Sequence, residues 1–218
     1  MSDEREFAED QLGSRRATSH ERMSGRPWDA SYQDGSAPWD IGRPQEPFVR
    51  VAKERGFEGP VLDAGCGTGE HALLAASLGL TVVGVDVAET ALEMARSKAA
   101  ERGLAAEFVA ADALQFERLG RQFRTVLDCG LFHTFDSKER KGYVVSLASV
   151  TELGATLYVL CFSDEGAVVG PHPVSEADVR AAFGPGTGWE VVAIEAERIQ
   201  TKMHENGAAA WFATVQRL

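Results

Sequence analysis

The chain has 218 residues, 44% of them hydrophobic and 25% charged, the proportions of a globular domain with a sizeable buried core. Its 22 Lys and Arg stand against 33 acids, a formal net charge of −11. That balance argues against a surface that tracks nucleic-acid phosphates or an anionic membrane, since both depend on Lys and Arg. Cys66, Cys129 and Cys161 form no C-x-x-C pair, and an odd count favours free thiols in a reducing compartment. There is no hydrophobic leader and no apolar run long enough to span a bilayer, so the expectation is a cytoplasmic protein.

In chain order, residues 1–26 mix both charges with Ser, Gly and Gln and show no periodicity. They read as a mobile tail without side chains suited to a site, so deletion through about Ser24 is expected to leave activity intact. Residues 27–218 form a single domain. Its first segment, Pro27 to Phe48, carries Trp28, Tyr32, Trp39, Ile41 and Phe48 between glycines and prolines, an aromatic-rich loop that needs something to cover. Alternating units follow: a strand at Val61–Ala64 and a helix at Glu70–Leu78, then a strand at Thr81–Asp86 and a helix at Glu89–Arg102 stopped by Gly103. Strands at Ala106–Ala110, Phe123–Cys129 and Ala155–Phe162 continue the pattern, with a helix carrying Tyr143, Leu147 and Val150 before the last. Ser175 caps a further helix, with Asp178 as its capping-box partner. Trp189–Lys202 and Ala208–Arg217 are strand-like runs joined across His204–Gly207, where Asn206-Gly207 signals a hairpin turn.

The densest stretch is Val61-Leu62-Asp63-Ala64-Gly65-Cys66-Gly67-Thr68-Gly69-Glu70 with the run to Asp86. Gly65, Gly67 and Gly69 strip Cβ atoms from the turn, letting backbone approach a ligand closely. The next helix points its free N–H groups into the same crevice. Asp86, closing the second strand, is placed to accept from two ribose hydroxyls, so the unit reads as a nucleoside site. The spacing is not the G-x-G-x-x-G of a dinucleotide site, and Asp63 would repel a pyrophosphate while suiting a ligand with an amino group or a cation. S-adenosylmethionine carries both, and the segment resembles the first motif of class I S-adenosylmethionine-dependent methyltransferases. The resemblance implies an α/β, Rossmann-like fold: a seven-stranded, mostly parallel sheet with helices on both faces and a C-terminal β-hairpin.

Ligands of open α/β sheets lie outside the carboxyl ends of the strands, which picks out the remaining site residues. Asp63, Gly65, Cys66 and Gly67 are expected to meet the methionine part, Asp63 through water or the loop backbone, with Asp86 at the ribose and Val87 at the adenine. The resemblance implies that Asp112 and Ala113 hold the adenine amino edge. Asp128 and Cys129 end the fourth strand, beside the transferred methyl. Phe132 and Phe135 are candidates for the acceptor wall, and His133 is a candidate general base or a histidine that packs structurally. No metal site is evident. The Asn/Asp-Pro-Pro-aromatic sequence of amide and exocyclic-nitrogen methylators is replaced here by Asp128-Cys129-Gly130-Leu131-Phe132-His133.

Ala37-Pro38-Trp39-Asp40-Ile41-Gly42-Arg43-Pro44, after Trp28-Asp29-x-x-Tyr32, resembles the Pro-Trp-Asp-x-Gly-Arg segment of thiopurine, thiol and halide/thiocyanate methyltransferases and of bacterial heterocycle methyltransferases. In that group the segment lies over the cofactor and walls off the acceptor; the group's acceptor-determining residues do not carry over, and Trp28 is a candidate for the acceptor wall here. Trp39 offers a flat face to a sulfonium by cation–π attraction; a simple packing clamp is the alternative. The expected function is methyl transfer to a small thiol, halide or hydroxylated heteroaromatic by a monomer or weak homodimer, with neither nucleic acid nor membrane as partner. Competing readings are a methyltransferase of quinone or lipid precursors, a non-catalytic S-adenosylmethionine-binding protein and, least supported, a nicotinamide dehydrogenase.

Overall fold

The seven strands are β1 (Val61–Ala64), β2 (Val82–Asp86), β3 (Glu107–Ala110), β4 (Phe123–Cys129), β5 (Thr151–Phe162), β6 (Trp189–Thr201) and β7 (His204–Arg217). They form one sheet in the order β3-β2-β1-β4-β5-β7-β6, parallel from β3 to β5, with β7 antiparallel to both its neighbours. The structure, a computed structural model, describes residues 15–166 and 172–218. The rest of the expected tail, residues 1–14, and residues 167–171 of the loop after β5 lie outside the described residues. Register brings Ala64 level with Val85 and with Asp128, so the carboxyl ends of β1, β2 and β4 open into one crevice.

Alternation along the strands sorts the core into two layers. Val61, Leu127 and Leu160 pack with Phe48, Leu73, Leu92 and Phe108 against helices α3 (Glu46–Glu54), α4 (Glu70–Ser77) and α5 (Glu89–Arg102). Leu62, Ala64 and Val126 pack with Tyr143, Leu147, Val179 and Phe183 against α6 (Ser137–Ser149) and α7 (Glu176–Ala182). Gly103 ends α5 at φ 62°, and Ser175 and Asp178 form the expected capping box on α7. Among the described residues no helix is long and apolar enough to cross a membrane.

Three expectations are corrected. First, residues 15–26 are not tail. They carry helix α1 (Ser19–Ser24), started by a capping box between Thr18 and Glu21. Glu21 is fully buried and accepts hydrogen bonds from the N–H groups of Thr18 (2.9 Å) and Trp28 (3.2 Å) and from Arg15 Nη1 (2.7 Å). The Ser19 N–H donates to Glu139 (2.8 Å), and its hydroxyl accepts from the Asp136 N–H (3.0 Å), docking α1 on the start of α6. Second, the aromatic segment contains helix α2 (Trp28–Gln33), whose Asp29 accepts from the Thr90 N–H (2.8 Å) and hydroxyl (3.0 Å). That contact supplies the side-chain cap that Ala88 does not give α5. Third, the final hairpin turns at Lys202-Met203, and Asn206-Gly207 lies inside β7. The Gln200 N–H donates to Gln45 Oε1 and its carbonyl accepts from Gln45 Nε2, both at 2.8 Å, so β7 skips this position and bulges at Gly207 (φ 70°).

Candidate active site

A cavity of about 590 Å³ opens along the carboxyl ends of β1, β2 and β4. That lies inside the range of roughly 300–1,000 Å³ common for small-molecule sites. Its floor is the glycine turn. Gly65 and Gly67 sit at φ 68° and 51°. A Cβ at Gly65 would lie 3.0 Å from Leu131 Cβ, and one at Gly67 would lie 2.8 Å from the Tyr32 hydroxyl oxygen. Only bare backbone fits between the turn and its roof. Asp86 fixes the turn from the side: Oδ2 accepts from the Gly67 N–H (2.8 Å) and Oδ1 from the Ala88 N–H (2.9 Å). Burial raises the Asp86 carboxyl pKa, and these N–H groups oppose the shift. Val87, Asp112 and Ala113 line the same end; Asp112 also accepts from the Leu114 N–H (2.9 Å), capping the 3₁₀ segment Ala113–Leu119.

Asp128 and Phe132 do not line this cavity, which corrects their assignment to it; Asp63 does not line it either, so any part it plays there is indirect. Asp63 is buried beneath the turn, where Oδ2 accepts from the Ala72 N–H in the first turn of α4 (2.8 Å). Asp128 accepts from the N–H groups of Leu131 (3.0 Å) and Phe132 (3.2 Å) and from the Tyr143 hydroxyl (2.9 Å). Burial pushes both carboxyls up to about 7. They shape the turns after β1 and β4 from below. Phe132 packs on Phe183 in the core, under the Arg140 guanidinium.

The far end of the cavity is closed by Trp28, Phe135, His133, Phe162 and the hairpin residues Ile199, Met203 and His204. Trp39 lines it with 37% of its surface exposed; its Nε1 donates to the Tyr32 hydroxyl (2.8 Å) and its ring meets Trp28 edge-on at 5.5 Å. Thr18, His20 and Met23 of the N-terminal segment complete the wall, with His20 stacked on Trp28 at 4.5 Å. Reading the sequence missed these three, although Thr18-x-x-Glu21 carries a helix-start signal. It also missed Met203 and His204, which no local motif marks.

His133 is 5% exposed, and its Nδ1 accepts the Phe162 N–H (3.2 Å). The remaining ring nitrogen, Nε2, therefore carries the proton of the neutral ring. Burial, with His20, Arg140 and His172 nearby, lowers its pKa from 6.5 to about 3. A ring held in this tautomer donates a hydrogen bond and is unsuited to accept a proton, which corrects its candidacy as general base. The sign for stability follows. The unfolded chain takes up the proton near pH 6.5 and the folded chain does not, so folding loses up to about 1.4 kcal/mol per pH unit below that point. His133→Gln removes this penalty. Its stability relative to the parent, measured by urea unfolding at pH 7 and pH 5, is expected to improve at the lower pH. Parallel pH curves would contradict this account of the ring.

Comparisons with known proteins agree with this geometry. Residues 61–154 match the methyltransferase-domain family. Over 148 residues the chain is 41% identical to the 2-heptyl-1-hydroxyquinolin-4(1H)-one methyltransferase of Mycobacteroides abscessus, an alignment covering 66% of this chain and 65% of that one. Over 172 residues it is 29% identical to probable thiol methyltransferase 2 of Arabidopsis thaliana, covering 77% and 75%. A solved structure concerned with conversion of a disulfide bond into a thioacetal group during echinomycin biosynthesis is 33% identical, with a TM-score of 0.77 over 87% of this chain and 90% of that one. Over 104 residues the chain is 32% identical to an uncharacterized methyltransferase of Schizosaccharomyces pombe, covering 48% of this chain and 72% of that one, so the chain belongs to the methyltransferases, and its sheet has the class I, Rossmann-like topology. It spans about two thirds, 65%, of the length of the hydroxyquinolinone enzyme. The residues present suit S-adenosylmethionine: the bare glycine turn leaves a cradle that a Cβ would fill, and Asp86 and Asp112 place two carboxylates on the cavity wall.

Proposed function

We propose that the protein transfers a methyl group from S-adenosylmethionine to a small acceptor that reaches the site already ionised: a hydroxylated heteroaromatic, a thiol or a halide. The observation that carries this is one continuous cavity, with the glycine turn and Asp86 at one end and an apolar, imidazole-bearing chamber at the other. The cofactor, when bound, supplies an electrophilic methyl on a sulfonium. In this reading Gly65, Cys66 and Gly67 cradle the methionine part, Asp86 holds the ribose, and Val87, Asp112 and Ala113 hold the adenine. Trp39 faces the sulfonium, while Trp28 and Phe135 wall the acceptor and exclude water. His133 donates a hydrogen bond to an acceptor anion, and the absence of a base then costs nothing. The hydroxyquinolinone relative and the thiol methyltransferase relative both support this acceptor class.

The same reading makes the protein a cytoplasmic monomer or weak homodimer, supported by the free Cys66, Cys129 and Cys161 and the net charge of −11. Incubation with methyl-labelled cofactor and a panel of 1-hydroxyquinolin-4-ones, aromatic thiols, iodide and hydroxylated quinone precursors tests it. Label is expected in the first three groups. Label only in the quinone precursors would redirect the assignment, and tight cofactor binding with no product would make this a non-catalytic binder.

Two substitutions probe the cofactor end. Asp86→Ala is expected to weaken S-adenosylhomocysteine binding by about 1.5–3 kcal/mol, the scale for losing charge-assisted hydrogen bonds. Unchanged affinity by calorimetry in the folded variant would remove Asp86 from the site. Trp39→Ala is expected to lower turnover far more than the melting temperature, with about 1–2 kcal/mol coming from the cation–π contact alone. The reverse ordering, a large fall in melting temperature with normal turnover in the folded fraction, would make Trp39 a packing clamp.

A further inference from the structure

Lys98 stands on α5, outside the cavity wall, yet its ammonium reaches the glycine turn. It donates to the Thr68 hydroxyl oxygen (2.7 Å) and to Glu70 Oε1 (2.8 Å). An ammonium has only donors, so the Thr68 hydroxyl accepts here and its own proton is left for another partner. That partner is Asp40, whose Oδ1 accepts from the Thr68 hydroxyl (3.1 Å) and from the Gly42 N–H (3.1 Å). Hydrogen bonding thus runs one way, from Lys98 through Thr68 to Asp40. Thr68 is buried, so losing either bond leaves a polar group with no water to replace the partner. Glu70 is secured separately, because both terminal nitrogens of Arg102 donate to it (2.9 Å each).

Asp40 directly follows Trp39, whose ring lines the cavity. The segment carrying both is tied down at its two ends. The Pro38 carbonyl accepts from the Lys202 N–H (2.7 Å) at the hairpin turn, and the Gln45 N–H donates to His71 Nε2 (3.1 Å) on α4. Between those ends, among the described residues, the Thr68–Asp40 bond is what joins the segment to the glycine turn. We propose that Lys98 positions the Trp39 segment over the cofactor end of the cavity by holding Thr68 and, through it, Asp40. This rests on the cofactor assignment made above. Lys98 is then a positioning residue, acting on the bound ligand only through the segment it holds. Lys98→Met keeps an apolar stem on α5, and Glu70 keeps Arg102, so the helix stays docked.

The test compares the parent with Lys98→Met, Asp40→Ala and the double variant. Three quantities are read: S-adenosylhomocysteine affinity by calorimetry, hydrogen exchange along the chain, and the thermal midpoint. Each single variant is expected to weaken binding about tenfold, the scale for losing a hydrogen bond to a charged group, with the midpoint close to the parent's. In Lys98→Met, where Asp40 itself is untouched, the Gly42 amide is expected to exchange faster while the amides of α4 and α5 do not. The double variant should bind no more weakly than the weaker single, since both substitutions break one chain of bonds. Parental affinity in Lys98→Met would overturn the proposal. So would losses that multiply in the double variant, or a loss matched by a fallen midpoint and faster exchange throughout α4 and α5. Failure of the parent to bind S-adenosylhomocysteine would instead sink the cofactor assignment. Gly42 exchange in the unliganded proteins still decides the link in that case, and a parental rate in Lys98→Met would overturn it.

Discussion

Gly67→Val is expected to abolish S-adenosylhomocysteine binding while leaving the sheet folded. Gly67 sits at φ 51°, where a β-branched residue is strained. Its Cβ would already lie 2.8 Å from the Tyr32 hydroxyl oxygen, and the two methyl groups of valine reach further. Something must move: either Tyr32 and the α2 roof lift away, or the turn rotates and withdraws the N–H that Gly67 donates to Asp86. Each outcome removes a wall of the cofactor end. The strain, on the order of 1–2 kcal/mol, is local to the crevice and small against the stability of a domain. Affinity is therefore expected to fall at least 100-fold by calorimetry with a cooperative thermal transition retained. Near-normal affinity would mean that the turn does not touch the ligand.

Deleting residues 1–24 is expected to reduce turnover at least tenfold, the reverse of what composition implies for a tail. The deletion removes His20 and Met23 from the cavity wall and strips Trp28 of the ring stacked on it. It also removes Glu21, which receives the Trp28 N–H and so sets the start of α2. Glu21→Ala tests the same point with one side chain. Breaking a buried ion pair costs about 3–5 kcal/mol, more than a six-residue helix can lose and stay docked. Both variants should keep the sheet and lose activity, with new protease sensitivity between residues 25 and 33. Full turnover in the truncated protein would remove α1 from the chamber.

The sheet was legible because its signals are local and repeated. Strand, glycine turn, helix and strand recur with ordinary boundaries, and Gly103 and Ser175-x-x-Asp178 mark helix ends by backbone chemistry alone. Asp86, the last residue of its strand, was legible for the same reason. Asp63 and Asp128 misled because each stands one residue before a strand end. Side chains alternate along a strand, so an acid there need not rise into the crevice; these two turn down to hold the first turn of α4 and the turn after β4. The N-terminal helix was hidden by its composition. Six residues show no period, and what holds it is buried Glu21 and the distant Asp136 and Glu139. The hairpin misled through Asn206-Gly207, a strong local signal that lost to Gln45, which bonds both backbone groups of Gln200 from 155 positions away.

The most direct measurement is a crystal structure of the complex with S-adenosylhomocysteine. Density for the nucleoside is expected beside Asp86 and Asp112, with the homocysteine part over Gly65 and Gly67 and its sulfur facing the chamber closed by Trp28, Phe135 and His133. Density elsewhere on the protein, or a chamber filled by side chains with no route from the sulfur to an acceptor, would contradict the account.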